Sequence, residues 1–307
     1  MSGEVPGPSI RRLDEGLGLA VLRSGLSAVT LVTYVRDRVA VRTPSRPDYL
    51  DGNTLDLTAV PAPGDLAGFL DRFADTIGAV GARHQQLRWE EPLAADAPAV
   101  APEPDAELAT AAGELGLSLS AWTVLLLDDL VAPTGGAAST IEPVPPPDGS
   151  SGGAVDRRWH TSAVLYRYAA GDSPDDWRGQ DDGFATWSME QQRELARTGR
   201  CRVWVAARHA IPVARCTLTH DRQGLAVVED LVTHPAHRRR GIASALVHAA
   251  VADHLEVQPD ARIGAVVVPG SAGEALHRRL GFRPHATVWT AHSPAPPPSR
   301  TARPGGG

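Results

Sequence analysis

The chain has 307 residues with ordinary apolar and charged shares, 42% and 21%, too many for one small core, so two domains are expected. Its apolar runs stop short of the ~20 residues that span a bilayer, and its two cysteines cannot frame a disulfide scaffold or a zinc site. No leader pattern follows the first arginines, and a cytoplasmic protein without membrane association is expected. All basic residues are Arg: residues 1–150 carry 10 against 21 acids, residues 151–307 carry 20 against 15. An acidic front and a basic back speak against a nucleic-acid partner and suit a back half that holds an anionic ligand.

In the first half, Arg38–Thr43, Gln85–Glu90 and Leu117–Leu127 read as strands. Leu66, Phe69, Leu70, Phe73 and Ile77 keep helical spacing across 66–80, and Ala106–Leu115 reads as a second helix. Residues 92–104, rich in Ala and Pro, read as a surface loop, and residues 132–157, rich in Pro, Gly and Ser, as a linker. Beyond it, Ser162–Tyr168 reads as a strand and Met189–Thr198 as a helix. Three apolar runs follow as strands: Cys201–Ala207, Val213–Thr219 and Leu225–Thr233. A helix opens at Ile242, a Val-rich strand covers Ala261–Val268, a short helix Ala272–Arg279 and a last strand His285–His292. The tail 293–307 is expected to be disordered. The fold class expected is α/β, a mixed and mostly antiparallel sheet flanked by helices, preceded by a second α/β domain.

The chemistry is concentrated in the turn Arg238-Arg239-Arg240-Gly241-Ile242-Ala243-Ser244, between a strand and a helix. A helix start leaves backbone N–H groups without partners and carries partial positive charge, which suits a pyrophosphate. Gly241 and Ala243 let the backbone approach, and the arginines add counter-charge. The bland alternative is a solvated basic turn.

The run from Val227 to Leu246 resembles the acetyl-CoA-binding motif of the GNAT superfamily of N-acetyltransferases, Q/R-x-x-G-x-G/A, with Arg238, Gly241 and Ala243 at its fixed positions. Leu280-Gly281-Phe282 after a short helix resembles the end of the family's second motif. The resemblance covers residues 158–292 and implies a cytoplasmic N-acetyltransferase that passes the acetyl group of acetyl-CoA to a primary amine, on a small molecule or peptide, by direct attack and without a metal. It implies that backbone groups of Leu231, Val232 and Thr233 hold the pantetheine arm and that Arg239 to Ser244 cradle the pyrophosphate. The thioester would lie where Leu225–Thr233 and Ala261–Val268 splay apart. Strand alternation puts Val227, Glu229, Leu231 and Thr233 on one face and Asp230 on the other. The resemblance turns the first face toward the acceptor, which makes Glu229 the candidate base, or else a carboxylate that only orients substrate. His277 stands where the family often has a proton-donating tyrosine and is the candidate acid, or a surface histidine. Gly270 stands at the family's frequent asparagine. Trp159, Trp177 and Trp187 fall where the family builds its acceptor pocket.

Residues 1–131 show no such turn, and their helix and strand order suggests a degenerate GNAT-like copy, as in tandem GNAT proteins. The competing function is an acyl-CoA-binding regulatory protein without turnover.

Overall fold

The computed structural model describes residues 16–100, 102–135, 139–147, 159, 162, 165, 182–221 and 223–293. The tail from 294 and Trp177 lie outside them. Two compact units share the chain, and neither is continuous in sequence. One gathers Met1–Val29, Glu91–Pro102 and Ala121–Val288, the other Thr30–Glu90, Glu103–Ser120 and Trp289–Gly307.

The second unit begins with β1 (Leu31–Val35), β2 (Arg38–Arg42) and β3 (Thr54–Leu57), antiparallel neighbours. Helix α2 (Leu66–Thr76) then crosses to β4 (Gln85–Pro92), which runs parallel to β3 with Asp56 opposite Arg88. Its amphipathic stripe buries Leu66, Leu70 and Phe73. A third helix, α3 (Ala106–Glu114), is capped by the Asp105 carboxylate, which accepts from Leu108 N. It ends in Leu115-Gly116-Leu117 ahead of β5 (Ser118–Leu127), with Gly116 at φ 74°.

The first unit repeats that plan. Helix α4 (Asp182–Arg197) precedes three antiparallel strands, β7 (Cys201–Arg208), β8 (Ile211–His220) and β9 (Leu225–Thr233). Helix α5 (Ile242–Val257) crosses to β10 (Arg262–Val267), parallel to β9. Helix α6 (Ala272–Arg279), capped by Ser271, leads through Leu280-Gly281-Phe282 into β11 (Phe282–Ser293). Within this unit the strand order is β11-β5-β10-β9-β8-β7-β6, where β6 is Thr140–Pro143. Thus β10 pairs with β5, the strand that closes the earlier repeat.

Two expectations are corrected here. The stretch read as a linker contains β6, which pairs with β7; Pro143 suits an edge strand because it has no N–H to donate. Of the strand expected at 162–168, Ser162 and Leu165 are described, and both are helical and buried. An element absent from the sequence reading, α1 (Leu17–Ser24), packs Leu17, Ala20 and Val21 on Leu225 and Val227 of β9. Helix α5 covers the opposite face with Ile242, Leu246, Val247, Ala250 and Val251 against Ala214, Cys216, Ala226 and Val228.

Candidate active site

Helix α5 begins at a left-handed glycine, Gly241, with φ 74° and ψ 0°. Only glycine takes that conformation without cost. The first ladder bond runs from Ala245 N to Gly241 O, so the amides of Ile242, Ala243 and Ser244 stand ahead of it. Arg239 is also left-handed, at φ 61°, and the turn starts in a short 3-10 segment, Pro235–His237. The three arginines are exposed. Arg238 Nε donates to Thr233 O at 3.0 Å, which ties the turn to the end of β9. Among the described residues no carboxylate pairs with Arg239 or Arg240, so both charges face solvent at the helix start.

Strand β9 accounts for the rest. It pairs with β10 from Leu225 opposite Arg262 to Val228 opposite Ala265, and there the pairing stops. The next residue is Glu229. On the β8 side, Thr217 faces Glu229 and Arg215 faces Val232, so Cys216 faces both Asp230 and Leu231. That is a β-bulge, and Asp230 sits in it at φ 49°. Past Val228 the β10-facing edge of β9, Leu231, Val232 and Thr233 included, has no ladder partner among the described residues.

The bulge also overturns the expected alternation. Leu231 packs with the cluster under α5, while Glu229 meets the other face, where Thr219 Oγ1 donates to its Oε2 at 2.9 Å. Asp230 turns to the same face as Glu229, not the opposite one. Its Oδ2 accepts from Gln192 Nε2 at 2.5 Å and Thr217 Oγ1 at 3.4 Å. It lies 3.8 Å from the guanidinium of buried Arg215. Arg215 also donates to Gln192 Oε1 and Ser162 O. One extra residue therefore puts two carboxylates side by side, and a strict period of two could not foresee it.

His277 is buried, not on the surface, and its ring meets Phe282 edge-on at 5.2 Å. Nδ1 lies 2.9 Å from Gly273 O; a carbonyl only accepts, so Nδ1 carries the proton and Nε2 its lone pair. Nε2 is buried without a hydrogen-bond partner among the described residues. Burial pushes the imidazole below its ordinary value, against the weaker pull of the Gly273 carbonyl. A neutral ring in this tautomer has no Nε2 proton to give. Gly281, at φ 97°, would carry a Cβ 1.7 Å from Asp129 O, so Leu-Gly-Phe admits no other residue at its centre. Glu274 caps α6 from inside: its carboxylate accepts from Gly270 N at 2.7 Å and from Arg278 at 2.8 Å.

Trp159 is buried, with Nε1 donating to Pro145 O, and Trp187 is half-buried against Phe184. The two cysteines lie in the core as unpaired thiols; burial holds Cys201 well above the usual thiol range and pushes Cys216 up to about 12. Among the described residues no cluster of three His, Cys, Asp or Glu could hold a metal.

Residues 171–282 match the family model of the acetyltransferase (GNAT) family. This chain carries a GNAT-family domain. None of the curated proteins compared matches the sequence. Among solved structures, a functionally unknown conserved protein from Staphylococcus epidermidis is similar at TM-score 0.62 and 12% identity, over 85% of this chain and 92% of that one. A GCN5-related N-acetyltransferase from Kribbella flavida follows at 0.56 and 18%, over 90% and 96%. A tandem GNAT protein from the clavulanic acid biosynthesis pathway follows at 0.52 and 15%, over 91% and 88%. At such identities the likeness concerns the fold, and all three cover most of both chains. The GNAT domain thus has its family's mixed sheet, and no described helix is long and apolar enough to cross a membrane.

Proposed function

We propose that this protein is an acetyl-CoA-dependent N-acetyltransferase that acylates a primary amine of a small molecule or peptide. The observation that carries the reading is that β9 leaves β10 at Glu229, one strand-end ahead of the α5 amides. The amides of Ile242, Ala243 and Ser244, with Arg239 and Arg240, fit a pyrophosphate by charge and by donor chemistry. The β10-facing edge of Leu231, Val232 and Thr233 fits an extended amide-bearing arm, which would add to the sheet as a strand does.

In this reading acetyl-CoA supplies the acetyl group as a thioester. The amine nitrogen attacks the carbonyl carbon, the C–N bond forms, the C–S bond breaks, and the sulfur leaves with the bonding pair. Glu229 takes the proton that the amine must lose. His277 is assigned a packing and orienting part rather than that of the acid, and the thiolate takes its proton from water. The working domain is proposed to be the span 158–292 completed by α1 from the N-terminal segment. The N-terminal repeat is proposed to be degenerate and to bind no acetyl-CoA of its own. A cytoplasmic location, a mechanism without metal and the lack of a nucleic-acid partner belong to the same proposal.

The test is release of free coenzyme A from acetyl-CoA with a panel of polyamines, aminoglycosides and basic peptides. Release that depends on both the amine and Glu229 is the expected result. Tight acetyl-CoA binding with no release for any amine would favour a non-catalytic acyl-CoA-binding protein instead.

A further inference from the structure

The C-terminal end of α1 lies against Glu229, and four oxygens form a row there. Ser24 Oγ donates to Val21 O at 2.9 Å and stands 3.4 Å from Thr219 Oγ1, which donates to Glu229 Oε2 at 2.9 Å. Ser24 and Thr219 are both buried. A Cβ on Gly25 would stand 2.1 to 2.5 Å from atoms of the Glu229 carboxylate, so the carboxylate fits only because residue 25 has no side chain.

Counting protons decides what the row can do. With Glu229 ionised, each hydroxyl has committed its one proton, Thr219 to the carboxylate and Ser24 to Val21 O. The contact between the two hydroxyls then holds no proton and gains nothing. With Glu229 protonated, the carboxyl can donate to Thr219, Thr219 to Ser24 and Ser24 to Val21 O. Every contact in the row is then a hydrogen bond. A group that must gain and lose a proton in each turnover is served by partners that satisfy both of its states.

We infer that Gly25, Ser24 and Thr219 are positioning residues for Glu229: Gly25 makes the seat for its carboxylate, and the two hydroxyls rearrange as it takes up the amine's proton. This rests on the reading of Glu229 as the base. Among the described residues, the charged and titratable groups that share its face of the sheet are Asp230 beside it on β9, Arg215 on β8 and Cys201 on β7, with Arg23 on α1 above them. None of them is changed in the test.

The test is a side-chain carboxyl 13C titration of the full chain labelled in glutamate, with the Glu229 signal identified by its loss in Glu229→Gln. Thr219→Val removes a charge-assisted hydrogen bond from the ionised form and a weaker neutral one from the protonated form, so the midpoint should rise, by up to about one pH unit. Ser24→Ala removes the acceptor that only the protonated row uses, and the midpoint should fall, by less. Midpoints that stay in place, or move the same way, overturn the inference. The acid limb of kcat/KM against pH should follow the same two opposed shifts. A titration that shifts as stated while the limb stays in place upholds the row of oxygens and removes Glu229 from the role of base.

Discussion

The two repeats meet the same architectural point, the start of the crossover helix after a strand with a parallel neighbour, and resolve it in opposite ways. At α5 the helix opens on left-handed Gly241, with three amides ahead of the first ladder bond and, among the described residues, no carboxylate paired with Arg239 or Arg240. At α2 it opens through Pro63-Gly64-Asp65. A proline there has no N–H to offer, and Asp65, which makes no capping hydrogen bond, places a negative charge next to the helix start where an anion would have to sit. The strands differ in the same sense. In the later repeat β9 parts from β10 at Glu229, whereas in the earlier one β3 and β4 are tied by a buried ion pair. Arg88 Nε lies 2.7 Å from Asp56 Oδ1 and Nη2 3.2 Å from Oδ2, with both side chains excluded from water. The fold provides the crossover in both repeats, and the later one is the crossover proposed to take an anion and an arm.

That contrast can be broken most severely at the ion pair. Arg88→Met leaves Asp56 buried without its cation and should cost about 3–5 kcal/mol in chemical denaturation. Acetyl-CoA affinity should change little wherever the protein remains folded. A loss of affinity equal to that of a cradle mutant would mean that the earlier repeat takes part in cofactor binding.

The next comparison sets one glycine against its counterpart. Helices α3 and α6 end alike, in Leu115-Gly116-Leu117 and Leu280-Gly281-Phe282, with both glycines left-handed. A Cβ on Gly116 meets nothing within 4 Å, but on Gly281 it meets the Asp129 carbonyl. Gly116→Ala should cost only the backbone term, about 1–2 kcal/mol, and Gly281→Ala clearly more, read as the difference in denaturation midpoints. Equal costs would contradict the close approach.

A smaller effect concerns acid. His84 in the earlier repeat, and His254 and His277 in the later, are all held below their ordinary value of 6.5 by burial. The unfolded chain then binds more protons than the folded one once the pH drops below 6.5, so stability is level above that pH and falls beneath it. His277→Gln should reduce the slope of melting temperature against pH between 6.5 and 5. An unchanged slope would mean that His277 is already charged in the fold. The smallest effect is expected from Arg240→Ala, about a three- to tenfold weaker acetyl-CoA affinity that fades as salt is added.

The sequence was legible where one signal dominates. The amphipathic stripe of α2, the Val-rich β9 and β10 and the Gly241 turn each give their element directly. The sheet order was not legible, because β5 follows its own repeat in sequence yet pairs with β10, and no local pattern encodes that choice. Helix α1 was missed because Leu17, Ala20 and Val21 make barely two turns beside a Gly- and Pro-rich start. The face of Asp230 was not legible, because the extra residue of a bulge leaves no mark on apolar alternation. The repeat itself did leave a mark: Leu-Gly-Leu at 115–117 copies Leu-Gly-Phe at 280–282 and could have aligned the halves.

The claim that one crossover helix and not the other receives the coenzyme is tested most directly by isothermal titration calorimetry of the full chain with acetyl-CoA. The account predicts one site per chain, with affinity lowered at least about 100-fold by Gly241→Glu, which adds both a strained backbone and a negative charge at the helix start. Two sites per chain, or one that survives Gly241→Glu unchanged, would contradict it.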